Sequence, residues 1–126
     1  MNMVLSIAAG GAIGSVLRHF AGVGAGVWLG SAFPYGTMFV NVAGSFVMGI
    51  LVALFAHYGN PSQEMRAFLT VGLLGGFTTF SSFSLDVVTL YERGQYSLAG
   101  LYIALSLLLS LAGIFAGLFI VRSFAS

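Results

Sequence analysis

The sequence has 126 residues, 59% hydrophobic and 6% charged, with four Lys+Arg, three Asp+Glu and a formal net charge of +1. An ordinary soluble domain carries about 25% charged residues. So sparse a set of charges cannot cover a water-facing surface, and the mean hydropathy of +1.05 makes lipid the solvent. The near-neutral balance excludes a nucleic-acid reader, which needs a basic stripe. The absence of Cys removes disulfides, thiolate nucleophiles and thiolate metal sites.

The start, Met1-Asn2-Met3-Val4, has no basic segment, and the first apolar run is too long for a signal peptide, so the chain is expected to keep it. A helix crosses a bilayer with about 20 apolar residues. Four such runs, at roughly 4–29, 37–58, 65–91 and 97–124, fill a single domain over 1–126. Pro34-Tyr35-Gly36 ends the first connection, and Gly59-Asn60-Pro61-Ser62-Gln63-Glu64 forms the second, with Ser62 a candidate N-cap. Glu92-Arg93-Gly94-Gln95 makes the third. An even number of spans puts both termini on one side. Arg66 and Arg122 then lie on that side, and Arg93 and the far-half Arg18 on the other. This even distribution gives no topological instruction, so insertion in both orientations is expected.

Gly pairs at four-residue spacing, namely Gly10/Gly14, Gly22/Gly26, Gly26/Gly30, Gly72/Gly76 and Gly113/Gly117, suit close helix packing in lipid. Polar or small rows run along the spans as well: Ser6, Gly10, Gly14 and Arg18; Thr37, Asn41 and Ser45; Tyr102, Ser106 and Ser110. An amide in hydrocarbon cannot satisfy itself locally, so Asn41 is expected to face another helix or a cavity. Arg18 has no acidic partner in the first two spans, leaving it to attract an anion or to snorkel outward. His19 and His57 stand alone and no nucleophile setting occurs, so an enzyme is not expected.

The third span carries Gly72-Leu-Leu-Gly-Gly-Phe-Thr-Thr-Phe-Ser-Ser-Phe-Ser84. Two glycines followed by two β-branched residues make a weak place in a helix. A break at membrane depth is tolerated only where its freed backbone is buried or lines a cavity. Counting from Arg66 to Tyr91 puts this break near residue 78, at the midplane. Freed carbonyls there suit a bare cation. Phe77, Phe80 and Phe83 recur every third residue beside hydroxyls. Their positive ring edges, with Asn41 and the Ser/Thr hydroxyls, can replace the hydration of a small anion; a plain packing stripe is the competing account.

Gly75-Gly-Phe-Thr-Thr-Phe-Ser-Ser-Phe-Ser84, Gly36-Thr-Met-Phe-Val-Asn-Val-Ala-Gly-Ser45 and Gly14-Ser-Val-Leu-Arg18 together resemble the Fluc/CrcB fluoride channels over essentially the whole chain. The resemblance implies an all-α membrane protein with four spans per chain and a broken third helix. It also implies an antiparallel, dual-topology homodimer that lets toxic fluoride leave passively across the plasma membrane. It further implies an anion pore at Asn41, Phe80 and Phe83 with the neighbouring Thr79 and Ser82, and a hydroxyl track at Ser106 and Ser110 with Tyr102 on the same face. Arg18 takes the place of a vestibule arginine. A structural Na+ is implied at the dimer centre, on the backbone carbonyls of Gly75 and Thr78. Two departures stand out: Ile114 where some members extend the hydroxyl track, and Asp86 where members tend to have Glu.

The rival from another class is a small dual-topology multidrug or cation exporter, which needs an intramembrane carboxylate. No acid precedes Glu64, and Asp86 lies in the wrong span for that family. A non-transporting scaffold is a second rival, and would leave the aligned polar rows idle.

Overall fold

The computed structural model describes residues 2–125; Met1, from which the start was read, and Ser126 lie outside the described residues. Among the described residues all regular structure is helical. Helix α1 covers Met3–Leu29, opened by the Asn2 side chain accepting from the Leu5 amide at 2.8 Å. Helix α2 covers Tyr35–Tyr58 and stops at Gly59, whose φ of 100° only glycine adopts freely. Ser62 caps α3, Gln63–Ala67, by accepting from the Met65 amide at 3.1 Å, as its place in the turn predicts.

The third span then departs from a plain helix twice. Phe68–Leu74 is wound as a π-helix, and Gly75–Phe77 resumes the α form as α4. Thr78 and Thr79 are extended, with ψ of 160° and 118°, and Thr79 caps α5, Phe80–Glu92. The expected break is therefore present. The span of Gln63–Glu92 has its midpoint between Phe77 and Thr78. After a turn at Gly94, α6 runs over Tyr96–Ala125. All four spans are long and apolar enough to cross a membrane, and the chain is a multi-pass membrane protein.

Glycine decides which backbones meet. A methyl group on Gly72 would sit 2.8 Å from the Ile7 carbonyl, and one on Gly76 2.8 Å from that of Gly11. Gly10 and Gly14 present their bare faces to Phe68, Leu73 and Phe77, so α1 lies backbone to backbone against the π segment and α4. Gly49, Gly113 and Gly117 do the same between α2 and α6. The other two pairs behave differently: a Cβ on Gly22, Gly26 or Gly30 would meet nothing within 4 Å. Phe83, Leu90, Ala99 and Tyr102 form a small core between α5 and α6, with Phe33 and Met38 packed on it.

Candidate functional site

The polar chemistry of the chain converges on the two extended residues. Thr79 donates its N–H to Asn41 Oδ1 at 2.7 Å, and Asn41 Nδ2 donates back to the Thr79 carbonyl at 3.1 Å. Asn41 thus serves the break like a strand partner, with one N–H left over. The Thr79 hydroxyl accepts from the Ser82 amide at 3.1 Å. In an unbroken helix the Thr79 and Ser82 amides would bond the Gly75 and Thr78 carbonyls, four residues back. Both donors are diverted, and these are the two carbonyls expected to face a cation. Beside them lies a hollow of 150 Å³ lined by Gly44, Ser45, Met48, Leu74, Gly75, Thr78 and Ile114. From the other side, Arg18 Nε donates to the Gly76 carbonyl at 3.0 Å.

Two grooves flank the break, and Thr79 lines both. The first, of 300 Å³, brings together Asn41, Thr79, Phe80, Phe83, Ser106 and Ser110, along with Ser45, Thr78, Leu107 and Leu111. Six of the expected pore residues therefore share one wall. Phe80 is 73% exposed at its open edge, and its ring lies 5.4 Å, centroid to centroid, from that of Phe83. Ser106 is 4% exposed, and its hydroxyl oxygen finds no hydrogen-bond partner among the described residues. The Thr78 hydroxyl is spent on the Leu74 carbonyl at 3.0 Å, so it offers no donor to the groove.

The second groove, of 390 Å³, holds Arg18, His19, Gly22, Val23, Gly36, Thr37, Val40 and Ser82 with Thr79. Ser82 thus sits with Arg18, away from the Phe80 wall. Tyr102 lines neither groove. It is fully buried behind Phe83, their rings 5.2 Å apart, and its hydroxyl donates to Asp86 Oδ2 at 2.9 Å. Sequence reasoning gave neither the Arg18–Gly76 nor the Tyr102–Asp86 bond. Ser45, one helical turn from Asn41 in the polar row, lines the groove as well, though it was not among the expected pore residues.

Four membrane-crossing helices, a third span broken halfway and an uncharged groove opening beside the break define a multi-pass membrane protein with amide, hydroxyl and aromatic side chains gathered at mid-membrane. The chain belongs to the CrcB family: the family described as "CrcB-like protein, Camphor Resistance (CrcB)" matches residues 5–118. It is 58% identical over 123 residues, 98% of each chain, to the "Fluoride-specific ion channel FluC" of Rhodospirillum centenum. A protein of the same description from Rhodopseudomonas palustris is 53% identical, over 90% of this chain and 92% of its own. Another, from Cereibacter sphaeroides, is 55% identical over 97% and 96%.

Proposed function

We propose that the chain is a fluoride-specific ion channel, giving passive export of fluoride across the bacterial plasma membrane. The observation that carries the reading is a groove that no charged residue lines, in which Asn41, Ser45, Ser106 and Ser110 stand beside Phe80 and Phe83 and the buried Ser106 hydroxyl has no partner within hydrogen-bond distance among the described residues. A buried donor without an acceptor costs free energy, and a small anion supplies the acceptor. The spare Asn41 N–H, the Ser45 and Ser110 hydroxyls and the edges of Phe80 and Phe83 add donors in place of water. Uncharged donors hold the ion weakly enough to let it go. The N-terminus of α5 opens at Phe80, so its dipole favours negative charge there.

A channel of this kind is not an enzyme, and the exporter reading loses its support. Asp86 is engaged by Tyr102, and the close relatives are fluoride channels by description.

The same reading includes an antiparallel homodimer with Na+ at its centre. The open groove and the exposure of Phe80 leave the passage unroofed in one chain, and a second copy supplies the missing wall. The Gly75 and Thr78 carbonyls, whose helical amide donors are diverted, fit a hard cation, which prefers oxygen ligands. Bound there, Na+ would neutralise carbonyl dipoles that two inverted chains bring together at the midplane.

Liposomes containing the purified protein, loaded with fluoride and given a potassium shunt, should release it on dilution as read by a fluoride electrode. Liposomes that retain their fluoride would overturn the reading.

A further inference from the structure

We propose that Arg18 is a positioning residue for conduction: through the Gly76 carbonyl it holds the break in the geometry that lines the groove. This rests on the channel reading above.

Gln63–Phe77 ends in mid-membrane, and the carbonyls of its last turn lose their helical donors there. The helical donor to the Gly76 carbonyl would be the Phe80 amide, which lies beyond the two extended residues. Arg18 Nε–H stands at that carbonyl instead, 3.0 Å away and reaching across 58 residues of sequence. A cation at a helix C-terminus also meets the negative end of the dipole. The approach is fixed by the backbone. A methyl group on Gly76 would meet the Gly11 carbonyl at 2.8 Å and the Ser15 amide at 3.3 Å, so α1 carries Arg18 to Gly76 with no slack.

Asn41 grips the opposite side, at both polar groups of Thr79. The break is thus held from α1 at its carbonyl end and from α2 at its extended end. Phe80, the next residue, inherits its place from both. The Nη groups of the same guanidinium remain for the second groove, so a charge role at the mouth and a positioning role are separable in one side chain.

Gly76-Phe77 is the only Gly-Phe step in the sequence. Labelling Gly with ¹³C at its carbonyl and Phe with ¹⁵N therefore isolates the Gly76 carbonyl resonance in lipid-reconstituted protein. We expect that resonance to move upfield in Arg18→Gln, with fluoride flux falling about tenfold, the scale of a lost charge-assisted hydrogen bond. Most of the loss should persist at high salt, where any contribution of the charge at the mouth is screened. Arg18→Lys should lie between wild type and Gln in both readouts; if the Gln variant does not fold, Lys carries the same paired comparison.

A flux deficit that disappears at high salt would mark a screened charge effect and overturn the proposal. An unmoved Gly76 resonance in Arg18→Gln would overturn it as well. Wild-type protein that releases no fluoride would instead sink the channel reading, because the carbonyl resonance reports the bond whether or not ions pass.

Discussion

Asn41 and Thr79 exchange two hydrogen bonds, backbone to amide and amide to backbone, at 2.7 and 3.1 Å across 38 residues of sequence. One side chain therefore stabilises the break and lends its remaining N–H to the groove. Asn41→Leu keeps the volume and removes every polar contact. We expect fluoride flux to fall at least tenfold and stability to fall by about 1–3 kcal/mol, the cost of leaving Thr79 unpaired. Thermal unfolding in detergent beside liposome flux measures both. A variant that loses flux at unchanged stability would mean that the Thr79 bonds contribute nothing.

Ser106 makes the opposite prediction for stability. Its hydroxyl is buried with no partner within hydrogen-bond distance among the described residues, so Ser106→Ala removes a desolvation cost and should leave the protein as stable or more so, by up to about 1 kcal/mol. Flux should nevertheless drop, because the donor is lost to the ion. Higher stability with lower conduction would separate function from packing in one substitution. Flux equal to wild type would remove Ser106 from the pathway.

Phe80 and Phe83 share the groove but differ in burial, Phe80 exposed and Phe83 packed on Tyr102. Replacing either with Ile keeps apolar bulk and deletes the positive ring edge. Both variants should conduct at least an order of magnitude less. Only Phe83→Ile should also lower the unfolding temperature. Normal conduction in both would make the rings packing alone.

The spans, the break and the need of Asn41 for a partner were legible because each leaves a local mark: apolar length, paired Gly before paired Thr, an amide in hydrocarbon. The π winding of Phe68–Leu74 leaves none, since Phe-Leu-Thr-Val-Gly-Leu-Leu reads as ordinary apolar helix. Nor does the bond from Arg18 to a backbone carbonyl, because every residue carries that acceptor. Tyr102 fell on the right helical row, but spacing along one helix does not say that Phe83 stands in front of it. The glycine pairs were half legible: four-residue spacing recurs in all five, yet a Cβ on Gly22, Gly26 or Gly30 would meet nothing within 4 Å in one chain.

That difference among the glycines is itself testable. Gly14→Ala would drive its methyl into the Leu73 carbonyl and toward the Phe77 amide, both backbone, and should prevent folding or cost several kcal/mol. Gly24→Ala, with nothing within 4 Å, should fold normally. Size-exclusion profiles and unfolding temperatures of the pair decide it. Equal behaviour would contradict the packing of α1 on the third span.

The even arginine distribution predicts insertion in both directions. The sequence has no Cys, so single cysteines at Ser31 and Asn60 give a clean background. Each should react with an impermeant thiol reagent from both faces of the membrane. Labelling of each from one face only would rule out the antiparallel pair.

The central claim is that an uncharged groove beside a helix break passes fluoride and excludes larger anions. Its most direct test is the reversal potential of the purified protein in a planar bilayer, with fluoride on one side and chloride on the other. The account predicts reversal set by fluoride alone, moving with the fluoride gradient and indifferent to chloride. A reversal potential that follows chloride, or none because no current flows, would contradict it.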